Sequence, residues 1–106
     1  MGIFLSNNIP VICQLSDAEK REREARLIAR FKAGVLSREE LDHGYSFRLP
    51  GEKNWLALVT DLMIAERECC PFLTFQLVAE PKMGSLNLRI IGPEGTKKFL
   101  QEVFLS

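Results

Sequence analysis

The chain has 106 residues, 46% of them hydrophobic, and its 14 basic side chains balance its 14 acidic ones. This length fits a single domain with a modest core, and the lack of a basic excess argues against a nucleic-acid partner. No window holds the roughly 18 apolar residues that a membrane-spanning helix needs, so we expect no membrane partner.

The cysteines are Cys13, Cys69 and Cys70, an odd number with two of them adjacent in the sequence. Such a set makes a poor disulfide framework, and the N-terminus lacks the basic start and the apolar run of a secretory signal. We therefore expect free thiols in a cytoplasmic protein.

The N-terminal part of the chain is predicted to hold an extension and one helix. Residues 1–9 form the expected extension, and residues 10–106 form a single α+β domain. Ser16, with a glutamate three positions later, is typical of a capping box and is the expected N-cap of a helix that runs to about Ala33. Gly34 is then the expected left-handed residue after this helix. The first half of the helix is almost entirely charged, so we expect it to be solvated.

A β-hairpin is predicted after the first helix. Residues 35–41 form a weak strand, and a turn follows in which Gly44 supplies a positive φ. Residues 45–49 alternate between apolar and polar side chains, as in a strand with one buried side. His43 is expected to be a solvated residue of the turn.

A second helix, a second hairpin and a third helix complete the predicted elements. The second helix runs from about residue 53 to residue 69 and is closed by Pro71. Alternation over residues 75–79 and 86–90 predicts the hairpin, and Pro93 is the expected first residue of the last helix. The order of elements predicts an N-terminal helix plus two ββα units. We expect one four-stranded antiparallel sheet with the helices on one face.

Glu66, Cys69 and Cys70 form the one group in the sequence that suggests chemistry. Glu66 falls near the middle of the apolar arc of the second helix, and the cysteines follow at spacings of three and four. A carboxylate on a buried face is costly unless it is paired, hydrogen-bonded or bound to a cation. Soft metals favour thiolates. The sequence therefore favours binding of a soft metal ion (Zn, Cu or Hg) or As(III), with Cys13 as a candidate third sulfur.

Two other functions compete with metal binding. In the first, the protein is a non-enzymatic structural or interaction domain, either as a monomer or as a homodimer, and the cysteines are small apolar residues of its core. In the second, the protein performs thiol redox chemistry. The position of Cys69 and Cys70 at a helix C-terminus argues against the second, because the helix dipole there opposes thiolate formation and attracts a cation. The sequence leaves the question of enzymatic activity open and favours a protein that is not an enzyme.

The chain resembles a group of small, uncharacterised bacterial proteins with a Glu-x-x-Cys-Cys-Pro-Phe signature. The matching residues of that signature are Glu66, Cys69, Cys70, Pro71, Phe72 and, beyond it, Phe75. Gly92-Pro93-Glu94-Gly95 and the Cys13-x-Leu15-Ser16 opening also match, so the resemblance covers about residues 11–105. It implies an association with heavy-metal handling and a common site for Cys13, Cys69, Cys70 and Glu66.

Overall fold

The structure of the protein is a computed structural model that describes residues 17–105. The expected N-terminal extension and Cys13 lie outside the described residues. The division of the chain into residues 1–9 and 10–106 therefore stays a prediction.

Three helices and four strands alternate along the described residues as the sequence predicts. In chain order they are α1 Ala18–Gly34, β1 Ser37–Leu41, β2 Gly44–Leu49, α2 Lys53–Cys69, β3 Thr74–Ala79, β4 Leu86–Ile91 and α3 Thr96–Phe104. All strand pairs are antiparallel, in the order β1-β2-β4-β3. The predicted α+β class, with two ββα units after an N-terminal helix, is confirmed.

The core lies between one face of the sheet and the helices. In the central pair of strands, Tyr45 lies opposite Ile90 and Phe47 lies opposite Leu88. These four side chains are buried together with apolar residues of all three helices. Alternate residues of β2 and β4 are more exposed, which leaves the other face of the sheet wet.

Helix α1 begins one residue later than the predicted capping box. Its N-cap is Asp17, whose Oδ1 accepts hydrogen bonds from the backbone N–H groups of Glu19 and Lys20, at 2.8 and 3.2 Å. The prediction of Ser16 as N-cap is therefore wrong. Asp and Ser are equally good at this position, so the sequence pattern alone did not distinguish the two neighbours.

Gly34 is the last residue of α1, and its role differs from the predicted one. Its φ is not positive, so the expected left-handed residue after the helix is absent at this position. A Cβ atom at Gly34 would lie 2.2 Å from the Trp55 ring, far inside van der Waals contact. The glycine lets α1 and α2 approach each other at this point.

Two further local predictions are wrong. Gly44 is the first residue of β2 and does not have a positive φ. Helix α3 begins at Thr96 rather than at Pro93, with Gly95 as its N-cap at a φ of 98°. Pro93 lies in the preceding turn, where its carbonyl accepts a hydrogen bond from the Thr96 N–H at 3.1 Å. The positive φ of Gly95 suits glycine, and it sets the true start of the helix.

None of the helices within residues 17–105 is long and apolar enough to cross a membrane.

Candidate metal centre

The candidate centre lies where the C-terminal end of α2 packs against α1. Helix α1 lies against α2 along the core, and the buried face of α2 includes Leu62, Glu66 and Cys69. Glu66 is 0% exposed, so its predicted place on the apolar face is confirmed. Its neighbours Arg67 and Glu68 are exposed, as their positions on the helical wheel predict.

Cys69 and Cys70 place two sulfur atoms at the end of α2. Cys69 is the last helical residue, and the backbone N–H of Cys70 donates a hydrogen bond to the Glu66 carbonyl at 2.6 Å. The two Sγ atoms lie 3.3 Å apart, and both residues are buried. The helix end therefore turns both sulfur atoms into the protein rather than toward solvent.

The two cysteines differ in oxidation state. Cys70 is a free thiol, whereas Cys69 is disulfide-bonded. The expectation of free thiols is therefore confirmed for Cys70 and wrong for Cys69.

Glu24 of α1 is a member of the centre that the sequence did not identify. One oxygen of its carboxylate and the Sγ atoms of Cys69 and Cys70 all lie within 4.8 Å of one another. These three residues are close enough to hold a metal ion. Helix α1 thus contributes a carboxylate that faces the two sulfur atoms from the opposite helix.

A signal for Glu24 was present in the sequence. It precedes the buried Leu27 by three residues and the buried Phe31 by seven, so it extends the apolar stripe of α1 toward its N-terminus. The other charged residues of the first half of α1 are exposed, whereas Glu24 is half-buried. Because Glu24 lies within a run of charged residues, the sequence pattern did not distinguish it from its exposed neighbours.

Burial dominates the electrostatics of Glu66. Desolvation, followed by the neighbouring Glu24 carboxyl, raises the pKa of Glu66 from 4.5 to about 9, while the Cys70 thiol acts in the opposite direction. Neither carboxyl oxygen of Glu66 has a partner with hydrogen-bond geometry among the described residues. The ion pairs within residues 17–105 join other side chains, so no cation is paired with Glu66 there.

Cys70 is likewise held in its neutral form. Desolvation is the main cause that raises the pKa of its thiol, and the carboxyls of Glu66 and Glu24 add to the effect. A thiol with a raised pKa is a poor nucleophile, because the thiolate is the reactive species. This environment argues against a catalytic thiol at Cys70.

Together, these residues offer two sulfur atoms and two carboxyl groups, and none of the ion pairs within residues 17–105 involves either carboxyl group. The structure brings Cys69, Cys70 and Glu24 together, and Glu66 lies close enough to Glu24 and Cys70 for each to shift its pKa. Cys13, the remaining predicted ligand, lies outside the described residues.

Comparison with known proteins found no matching family model, no matching curated protein and no matching solved structure. The resemblance to the Glu-x-x-Cys-Cys-Pro-Phe proteins therefore stays a prediction from the sequence, and the function has to be argued from the geometry of the centre.

Proposed function

We propose that the reduced protein binds a soft metal ion or a metalloid between α1 and the end of α2. Cys69 and Cys70 provide thiolates, Glu24 provides a carboxylate oxygen, and Glu66 provides a second oxygen when it releases its proton. The observation that carries the proposal is the convergence of two sulfur atoms and the Glu24 oxygen within 4.8 Å of one another. Cys13 stays a candidate for a further sulfur ligand.

The chemistry of the donors favours a thiophilic cation over a hard one. Thiolates select ions such as Zn(II), Cu(I) and Hg(II), whereas Mg(II) and Ca(II) take oxygen ligands. As(III) is included because it also forms bonds to thiolate sulfur. The main-chain carbonyls at the C-terminal end of α2 add negative potential next to the two sulfur atoms, which favours a positive charge.

The unpartnered oxygens of Glu66 also support the proposal. A buried carboxyl without a hydrogen-bond partner costs about 1–3 kcal/mol of stability in proteins. Such a group is uncommon in a natural core, and Glu66 is 0% exposed with both oxygens unpartnered among the described residues. A bound cation would give these oxygens a partner and would remove that cost.

The test is a titration of the fully reduced protein with Zn(II), Cu(I), Hg(II) and As(III), followed by native mass spectrometry and ultraviolet charge-transfer absorption. We expect one ion per chain for at least one of the four. Cys70→Ala is expected to weaken binding by at least about 100-fold, because it removes a ligand that contacts the ion directly. Glu24→Gln is expected to weaken binding of Zn(II) by about 10- to 100-fold.

Glu68→Gln is the matched control, since Glu68 is an exposed carboxylate on α2 beside the centre. It should bind each ion as the wild type does. Equal affinity of the wild type and Cys70→Ala, or the absence of binding to all four ions in the reduced protein, contradicts the proposal.

A structural or interaction domain is the second candidate, because Cys69 and Cys70 belong to the buried apolar cluster of the core. Small buried cysteines need no ligand to explain them. In that case chelators leave the stability of the reduced protein unchanged, and none of the four ions raises its melting temperature. Homodimer formation, which the sequence suggested for such a domain, stays a prediction.

A further inference from the structure

We infer that the reduced centre is selective for a trivalent metalloid, arsenite, over tetrahedral and linear metal ions, with the arsenic atom bonded to both Cys69 and Cys70. This inference rests on the proposed function, because it names the class of ligand that the same centre takes. Three features carry it: the short separation of the two sulfur atoms, the burial of the pair, and the number of donor atoms that converge there.

The separation of the two sulfur atoms sets the angle at which they can hold one central atom. The Sγ atoms of Cys69 and Cys70 lie 3.3 Å apart, so two bonds of about 2.3 Å to a common atom would enclose an angle of about 90°. Tetrahedral zinc needs sulfur atoms about 3.8 Å apart for bonds of the same length, and a linear ion needs them about 4.6 Å apart. Trivalent arsenic forms three pyramidal bonds close to right angles, because a lone pair takes its fourth position.

The short separation follows from the placement of the cysteines at adjacent positions of a buried helix end. Cys69 is the last residue of α2, and the backbone N–H of Cys70 donates a hydrogen bond to the carbonyl one turn earlier. Cys69 is 1% exposed and Cys70 is 0% exposed, so close packing restricts the rotations that would spread the two sulfur atoms apart. The paired cysteines of structural zinc sites typically have about two to four residues between them.

The number of converging donor atoms also matches a pyramidal centre. Within residues 17–105, the group of donors that lie within 4.8 Å of one another consists of the two sulfur atoms and one oxygen of Glu24. A structural zinc ion takes a fourth protein ligand, which this group does not contain. Arsenite bonded to both sulfur atoms keeps one hydroxyl group, and the Glu24 carboxylate can accept a hydrogen bond from it.

The capture of arsenite is a condensation in which arsenic stays trivalent. Each thiol sulfur forms a bond to arsenic while one As–O bond breaks, and the thiol proton leaves with the released hydroxide as water. Two thiols therefore release two water molecules and leave an S–As–S bridge that carries one As–OH group. No electrons are transferred, so the step needs only the two reduced thiols and arsenite.

The test is a competition on the fully reduced wild-type protein, kept reduced by a phosphine because a dithiol would itself capture arsenite. Protein loaded with Zn(II) is titrated with sodium arsenite. Native mass spectrometry identifies the bound element, and a chromophoric indicator measures the zinc released. We expect one arsenic atom per chain and an affinity for arsenite at least about 10-fold higher than that for Zn(II).

Three variants separate the roles of the side chains. Glu24→Gln is expected to change the affinity for arsenite by less than about 3-fold, since an amide oxygen also accepts a hydrogen bond, while it weakens Zn(II) binding by about 10- to 100-fold. Cys70→Ala should abolish capture of arsenite, because one thiol cannot form the bridge. Cys13→Ser is the matched control, since it removes the chain's other cysteine and keeps the adjacent pair, and it should capture arsenite as the wild type does.

Each other outcome overturns a stated part of the account. Zn(II) that stays bound through Cys70 in an excess of arsenite overturns the selectivity and leaves the proposed function in place. Capture of arsenite by Cys70→Ala, or its loss in Cys13→Ser, overturns the bridge between Cys69 and Cys70. Absence of binding to arsenite and to all three metal ions in the reduced wild type overturns the proposed function together with the selectivity.

Discussion

Replacement of Glu66 by glutamine is expected to stabilise the metal-free, reduced protein at neutral pH. Burial raises the pKa of this carboxyl from 4.5 to about 9, so the folded protein holds a proton that the unfolded chain releases. The stability that this protonated carboxyl contributes is fully present below about pH 4.5 and is lost as the pH rises toward about 9. Glutamine has nearly the same shape and does not ionise.

The size of the effect follows from the two pKa values. Each pH unit above the unfolded-state pKa of 4.5 removes up to about 1.4 kcal/mol from the free energy of unfolding. At pH 7 the loss reaches at most about 3.5 kcal/mol, and relaxation or water entry at the centre reduces it. The amide of glutamine needs its own partners, so we expect a net gain of about 1–3 kcal/mol in Glu66→Gln.

The assay is urea unfolding followed by the fluorescence of Trp55, the only tryptophan, from about pH 5 to pH 8.5 with a chelator and a reductant present. The wild type should lose stability relative to Glu66→Gln as the pH rises, and Glu68→Gln should follow the wild type. Stability curves of the wild type and Glu66→Gln that stay parallel across this range would refute the reasoning about the buried carboxyl.

Three further results are expected. Gly34→Ala should lower the free energy of unfolding by about 1–3 kcal/mol, since its Cβ would lie 2.2 Å from the Trp55 ring; an unchanged urea midpoint would contradict this. Asp17→Ala should cost about 1 kcal/mol through loss of the N-cap, and an equal melting temperature would show that the cap is dispensable. Binding of Zn(II) at pH 7 should release protons from Cys70 and Glu66, because the pKa values of both groups are raised, so the affinity for Zn(II) should rise with pH. Calorimetry in buffers of different ionisation enthalpy measures the number of protons released. A release of zero protons would contradict ligands that are protonated before the metal binds.

The elements that bury an apolar face were predictable from the sequence. Helix α2 was predicted with the bounds that the structure shows, because its apolar arc and the following Pro71 fix both its face and its end. The burial of Glu66 followed from the same arc. Strands β2, β3 and β4 followed from alternation, since one face of the sheet is packed and the other is wet.

The details that the sequence did not settle depend on contacts between elements or on a choice between equivalent neighbours. Asp17 and Ser16 are both good N-caps, and only the backbone geometry decides between them. The role of Gly34 depends on the Trp55 ring of another helix. Glu24 joins the centre because α1 packs against α2, and a single-helix pattern does not specify the partner that a face will meet.

The most direct test of the central claim is X-ray absorption spectroscopy of the reduced protein loaded with one equivalent of Zn(II). The proposed centre predicts a mixed coordination sphere, with two sulfur neighbours at about 2.3 Å and oxygen neighbours at about 2.0–2.2 Å. Cys70→Ala should remove one of the sulfur neighbours. A coordination sphere made only of oxygen and nitrogen would contradict the account, because it would place the ion away from Cys69 and Cys70.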